Sequence, residues 1–349
     1  MGVTTPSIRL SAMEPGEETV LRIARGYQLS QALYVAAKLG VADVLSSEPL
    51  AAETVAQAVD VRAPPLRRVL RALVAAGVFT ELDDGRFATN DAAAALRADA
   101  AGRSRDVVIN FGEEMYRAFG ELLHTVRTGE TAFDVVYGAP LFEYYSANPE
   151  AEASAAARML ARTLPVASEF AACDVLRDAR TLVDVGGGTG TLLAAVLRHR
   201  PEVRGVLLER PGMLELAHRY LSDQGVADRC EVVEGDFFSS VPAVGDLYVL
   251  KSVLHDWDDD RCVAILRSCR AAMDQAARVA IIELLLPERM TPGGPTLAAA
   301  LLDLVMLAYA GGRERTEAEF TQLLGRAGLR LVRTTPLAAG PHVLEAAAV

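Results

Sequence analysis

The stretch Leu182-Val183-Asp184-Val185-Gly186-Gly187-Gly188-Thr189-Gly190 constrains the fold more than any other. An apolar run breaks into a glycine-rich turn and resumes as a helix around residues 192–197. Glycines there let the backbone approach a ligand closely beside a helix N-terminus. The spacing differs from the dinucleotide fingerprint, and the acid Asp184 inside the strand favours a cationic or amino-bearing ligand over pyrophosphate. Further short β-branched runs follow at 205–209, 230–234, 246–250, 279–285, 329–334 and 342–346, separated by helical stretches. Alternating strand and helix means a parallel sheet covered on both faces, an α/β fold.

Acids recur at the strand ends. Glu209 closes the second strand about 20 residues beyond the glycines, where a carboxylate can accept both hydroxyl hydrogens of a free ribose. The third ends in Glu234-Gly235-Asp236-Phe237-Phe238, offering a carboxylate to an adenine amino group and a ring face to the base. Three successive strand ends thus suit three parts of one nucleoside. Just beyond the fourth strand stands His255, followed by Asp256 and Trp257, at the carboxyl edge where open sheets hold ligands.

Upstream, residues 1–18 are polar and proline-bearing, a loose terminal arm. Apolar residues recur at helical spacing over 19–45, with Gly40 ending the pattern. Helices at 54–58 and 65–76, then Val78 to Leu82, an Asp83-Asp84-Gly85 turn and Arg86-Phe87-Ala88, make a winged-helix pattern over 19–102. Arg67, Arg68 and Arg71 could touch phosphates, but a net charge of -11 argues for a structural, dimer-forming winged helix rather than a DNA reader. Residues 103–172 form an amphipathic helical connector whose aromatics, Phe142 and Tyr145 among them, roof a pocket. The catalytic part is expected at 173–349.

The four cysteines form no CxxC pair and no zinc pattern. The longest apolar run, 297–310, is too short for a bilayer and carries Asp303. No signal peptide opens the chain, so a cytoplasmic protein without membrane or nucleic-acid partners is expected.

Together these motifs resemble the class I methyltransferase superfamily, specifically the caffeic-acid-type O-methyltransferases of plants and their bacterial natural-product counterparts. The resemblance covers nearly the whole chain, through residues 185–190, Gly235 to Phe238, Lys251-Ser252-Val253-Leu254-His255-Asp256-Trp257 and Gly311-Gly312-Arg313-Glu314-Arg315-Thr316. It implies a Rossmann-like sheet with an N-terminal helical winged-helix dimerisation domain, a homodimer, and S-adenosylmethionine as methyl donor. His255 would be the general base, flanked by Glu283 and Glu314. Asp184, Gly186, Gly188, Glu209, Gly235, Asp236, Phe237, Lys251, Ser252 and Trp257 would hold the donor. Phe142, Tyr145, Met159, Asp303, Met306 and Tyr309 would line the acceptor pocket.

A phenol keeps its proton with a pKa near 10, so a base must remove it at neutral pH. Neutral His255 suits that task, with a carboxylate on its other nitrogen to fix the tautomer. The reaction requires no metal. Ala151 and Ala155 stand where the plant enzymes carry Phe, which implies a roomier pocket for a larger or polycyclic acceptor. Two competing readings are a relative that uses the bound cofactor for hydroxylation or decarboxylation, and a ligand-sensing winged-helix regulator. The paired glutamates beside His255 oppose the first, and the scarcity of basic residues opposes the second.

Overall fold

The computed structural model describes residues 15–349, in two compact units that divide after Gly112. Most of the arm expected at 1–18 lies outside the described residues. The first helix already begins at Pro15, earlier than the apolar periodicity indicates, because Glu17 and Glu18 favour the positive end of a helix. It runs Pro15–Lys38 and stops where Gly40 takes a left-handed conformation at φ 69°.

In this first unit, helices Ala52–Ala58 and Ala63–Ala75 precede a two-strand hairpin of β1 (Thr80–Glu81) and β2 (Phe87–Ala88). Leu45, Val55, Leu66, Leu70, Leu73, Phe79 and Phe87 fill its core. Arg67 is paired with Glu53, and Arg71 grips Glu81 at 2.7 Å, so two of the three candidate phosphate contacts are engaged by acids of their own unit. Helix Ser104–Asn110, expected to open the connector, belongs here: Val108 and Ile109 pack on this core.

The second unit is built on a seven-stranded sheet in the order β5-β4-β3-β6-β7-β9-β8. Its strands are β3 (Thr181–Val185), β4 (Arg204–Glu209), β5 (Cys230–Glu234), β6 (Leu247–Lys251), β7 (Arg278–Glu283), β8 (Leu329–Pro336) and β9 (His342–Ala348). The first five are parallel, but β9 runs antiparallel to both β7 and β8, a departure from a wholly parallel sheet. The reason is local. The short turn from Leu337 to Pro341, with Gly340 at φ 109°, can only reverse the chain, whereas a parallel return needs a long crossover.

Side chains alternate between the faces of the sheet. Val183, Tyr248, Leu250 and Ile281 meet helices Asp259–Ala272 and Glu317–Arg326 through Ile265, Leu266 and Phe320. Leu182, Val249 and Ile282 meet helices Thr191–His199 and Pro149–Ala171 through Leu193, Leu197 and Phe170. The strand order reverses between β3 and β6, and open sheets of this kind bind ligands in the crevice at such a reversal.

Candidate active site

A cavity of ≈ 1110 Å³, counting its open mouth, lies over the carboxyl ends of β3, β4 and β6. Pockets for drug-sized ligands span about 300–1,000 Å³, so the space suits a nucleoside beside a flat partner. At one end is the glycine turn. Gly186, Gly188 and Gly190 sit at φ 69°, 60° and 76°, and a Cβ on Gly187 would lie 2.3 Å from Asp184 Oδ2. Only glycines allow the chain to wrap this closely around the acid.

Asp184 is fully buried, and neither carboxylate oxygen makes a hydrogen bond of normal geometry. Burial, and then the charge of Glu209, push its carboxyl up to about 7. Glu209 accepts from the backbone N–H of Gly188 at 2.8 Å and of Arg210 at 3.0 Å, which ties the end of β4 to the turn after β3. Burial raises its carboxyl as well. Lys251, at the end of β6, donates to Thr163 Oγ1 at 3.0 Å, and burial followed by Arg162 lowers its amine to about 8. Ser252 lines the cavity in the left-handed region at φ 52°, a strained position of the kind functional sites retain.

The other end is organised around His255, on the short turn Leu254–Asp256. Its Nδ1 stands 2.8 Å from Glu314 Oε1 and 3.4 Å from Glu283 Oε2, and its Nε2 lies 3.7 Å from Asp256 Oδ1. Burial opposes the imidazolium, but Glu283, Asp256 and Glu314 together prevail and push the imidazole up to about 9. Burial also raises the Glu283 carboxyl. Glu283 Oε1 accepts from the N–H groups of Val253 and Leu254 at 3.1 and 3.0 Å, capping the turn that carries the imidazole.

Arg315 locks this arrangement. It is completely buried and donates to the carbonyls of Leu254 (3.0 Å) and Trp257 (2.7 Å) and to Asp259 (2.8 Å). Arg313 N donates to His255 O at 2.9 Å, and a Cβ on Gly312 would lie 2.0 Å from that same oxygen. The strand of chain bearing Glu314 is thus pressed against the turn bearing His255.

The cavity wall also includes Phe142, Tyr145, Met159, Met306 and Tyr309. The hydroxyls of Tyr145 and Tyr309 share a hydrogen bond at 2.5 Å, and Glu114 Oε2 stands 2.8 Å from the second and 3.3 Å from the first as an acceptor for the remaining hydrogen. Met306 and Tyr309 lie on a π-helical turn, Met306–Ala310, that ends at Gly311. Ala155 lines the wall, whereas Ala151 packs on the neighbouring aromatic cluster.

Other expected residues are not part of this lining. Asp303 instead accepts from Glu314 N at 2.8 Å, because that N–H needs an acceptor. Asp236 accepts from Phe238 N and Ser239 Oγ, closing its own turn, and Gly235 donates to Glu209 O. Phe237 and Trp257 stand behind the lining. The Phe237 ring meets the place a Cβ of Gly186 would occupy, at 3.2 Å, and Trp257 stacks on Phe142 at 5.5 Å. Residues not anticipated from sequence are Arg158, Arg162 and Asp256 in the lining, and Arg315 behind it. The signal for the first pair is their i, i+4 spacing beside Met159 in an alanine-rich helix.

A sheet reversed at one edge, a glycine turn enclosing a buried acid and an imidazole held by two glutamates define a nucleoside-dependent group-transfer enzyme of the class I methyltransferase fold. Residues 119–330 match the O-methyltransferase domain and residues 21–99 the O-methyltransferase dimerisation domain. The chain belongs to the O-methyltransferase family. It is 42% identical over 332 residues to phenazine O-methyltransferase PhzM of Lysobacter antibioticus (95% of this chain, 96% of that one). It is 40% identical over 333 residues to the mitomycin biosynthesis 6-O-methyltransferase of Streptomyces lavendulae (95% and 94%). It also resembles the crystal structure of the neocarzinostatin-biosynthesis O-methyltransferase NcsB1, in complex with S-adenosylmethionine and 2-hydroxy-5-methyl naphthoic acid. The TM-score is 0.80 at 35% identity, covering 92% of this chain and 96% of that one. Some relatives are named as N-methyltransferases.

Proposed function

We propose that the protein transfers the methyl group of S-adenosylmethionine to a hydroxyl of a small aromatic natural product, as a cytoplasmic homodimer. One observation carries the reading: His255 lines the cavity with Nδ1 on Glu314 at 2.8 Å, which leaves Nε2 to take a proton from an arriving hydroxyl. Only about one phenol in a thousand is ionised at neutral pH. His255 removes the proton as transfer proceeds, and Glu314 and Glu283 stabilise the imidazolium that forms. An amine with a free lone pair would need no such base, which favours oxygen as the acceptor atom.

The donor suits the opposite end of the cavity. Asp184 offers an ammonium group two oxygens that no hydrogen bond of normal geometry engages, and Glu209 stands where ribose hydroxyls would be met. Bound there, the donor supplies an already electrophilic methyl on sulfur. The protein's own task is alignment and removal of one proton.

The ligand atoms of His255, Glu283 and Glu314 lie within 4.8 Å of one another, a spacing that would also admit a metal. The direct contact between Nδ1 and Glu314, and the backbone N–H groups on Glu283 Oε1, favour a hydrogen-bonded base instead. Pairing of two chains is supported by the dimerisation match and by the exposed Val20, Ile23, Tyr27 and Leu29 on the first helix. Free cysteines suit a reducing compartment, and no helix of the described residues is long and apolar enough to cross a membrane.

Incubation with labelled S-adenosylmethionine and a panel of hydroxynaphthalenes and hydroxyphenazines tests the reading. O-methylated products are expected, and activity should survive a chelator unchanged. Tight donor binding with no acceptor ever gaining a methyl group would overturn it.

A further inference from the structure

Helix Pro149–Ala171 presents Ala155, Arg158, Met159, Arg162 and Thr163 to the cavity, the spacing of a single helical face. Alanine at 155 leaves space, and two guanidiniums one turn apart stand beside it. Arg158 is only 6% exposed, and its Nε makes no hydrogen bond of normal geometry. Its Nη1 makes a weak 3.6 Å approach to the sulfur of Met159. No carboxylate of the described residues lies within 4.0 Å of either guanidinium.

Arginine cannot shed its proton, so the wall carries a permanent buried charge. Such a charge is costly unless something of opposite sign meets it. Arg158 acts on Tyr145, Tyr309 and Asp256 at the acceptor end, and both arginines also act on Lys251 toward the donor end, so the pair stands between the two; Ala155 and Met159 beside it open toward the acceptor wall. Asp184, at the donor end, responds to Glu209 and Lys251 and to neither arginine.

We propose that Arg158, with Arg162 one turn behind it, binds a carboxylate on the aromatic acceptor, so that the preferred substrates are hydroxy-substituted aromatic acids. A planar guanidinium matches a carboxylate with two parallel hydrogen bonds, which would fix the ring and so aim its hydroxyl at His255. The proposal rests on the methyl-acceptor reading of this cavity. A carboxylate could also come from the amino-acid end of the donor, and the test separates the two sources.

The probes are 3-hydroxy-2-naphthoate and its primary amide, titrated calorimetrically into the full-length protein loaded with S-adenosylhomocysteine. The acid should bind at least about tenfold more tightly than the amide, the worth of one charged hydrogen-bonding group. Arg158→Gln should erase that preference, and Arg158→Lys should keep part of it. Affinity of both variants for S-adenosylhomocysteine should stay within about twofold of the unaltered protein, which also reports a folded site. Equal affinity for acid and amide, or no binding of the acid, would overturn the proposal. So would a Gln variant that loses S-adenosylhomocysteine but keeps the acid preference, since the guanidinium would then belong to the donor. Methyl transfer is scored separately. Acid binding without any transfer removes the methyltransferase reading and leaves the anion site, while equal kcat/KM for neutral naphthols removes the anion site and leaves the methyltransferase.

Discussion

At the glycine-turn end of the cavity, Asp184 is buried with neither oxygen in a hydrogen bond of normal geometry, and its carboxyl is pushed up to about 7. At the His255 end, Glu283 and Glu314 are buried just as deeply, yet each has one oxygen committed, to backbone N–H groups or to the imidazole. The glycine-turn end is mounted on regular strand ends and, on the proposed reading, would be completed by the donor. The base end is mounted on turns and completes itself, through Arg315, Gly312 and Glu283. Binding and proton transfer are therefore separable, and substitutions should divide along that line.

The largest effect is expected from His255→Ala. Loss of a general base should lower kcat by about 10²–10⁴, with affinity for S-adenosylhomocysteine within about twofold. A parallel loss of affinity in calorimetry would erase the distinction between the ends. Glu314→Gln should lower kcat by roughly 10- to 100-fold, the worth of one hydrogen bond to a charged group. It should also move the pH at which activity appears. The glutamates hold His255 up near 9, so rate in the unaltered enzyme should climb with pH as the imidazole loses its proton. Removing one negative charge lowers that pKa and shifts the rise to lower pH, which a pH profile of kcat/KM would show.

Asp184→Asn addresses the other end. An ammonium ligand needs the ionised acid, so donor affinity should improve as pH rises through about 7 in the unaltered protein. The Asn variant should lose about tenfold in affinity above that pH and show a flat profile, while kcat at saturating donor changes little. An unchanged slope would show that Asp184 does not meet the ligand.

The smallest effect is on stability. Asp184 has a folded pKa raised above its ordinary value near 4, so the folded state keeps a proton that the unfolded chain has released, and stability falls as pH rises from about 4 through 7. The raised His255 acts in the same direction over a later window. Its contribution is full below about 6.5 and is lost as pH rises through about 9. Thermal unfolding should occur a few degrees lower at pH 9 than at pH 6, and Asp184→Asn should flatten only the acid part of that slope.

Much of the glycine-turn wall of the cavity was legible in the sequence because it follows strand ends, where side chains have one place to go. Asp184, Gly186, Gly188, Glu209, Lys251 and Ser252 line one cavity. His255 with Glu283 and Glu314 was legible for a different reason, the match of two short motifs to a known family. Asp303 was assigned to the wall by the resemblance, whose corresponding helix lines the acceptor pocket, but a resemblance does not show that a backbone N–H of Glu314 claims its carboxylate. Asp236 was similarly claimed by its own turn. Arg315 was hidden because its partners are carbonyl oxygens of another segment, which leave no trace in a residue pattern.

Arg315 joins two loops that are 59 positions apart at His255 and Glu314. Because its guanidinium is shared by both, neither loop can peel away alone: loosening one strips the other of its anchor. The acid that tunes the imidazole thus departs whenever the imidazole does, and a locally frayed molecule would be idle rather than indiscriminately basic.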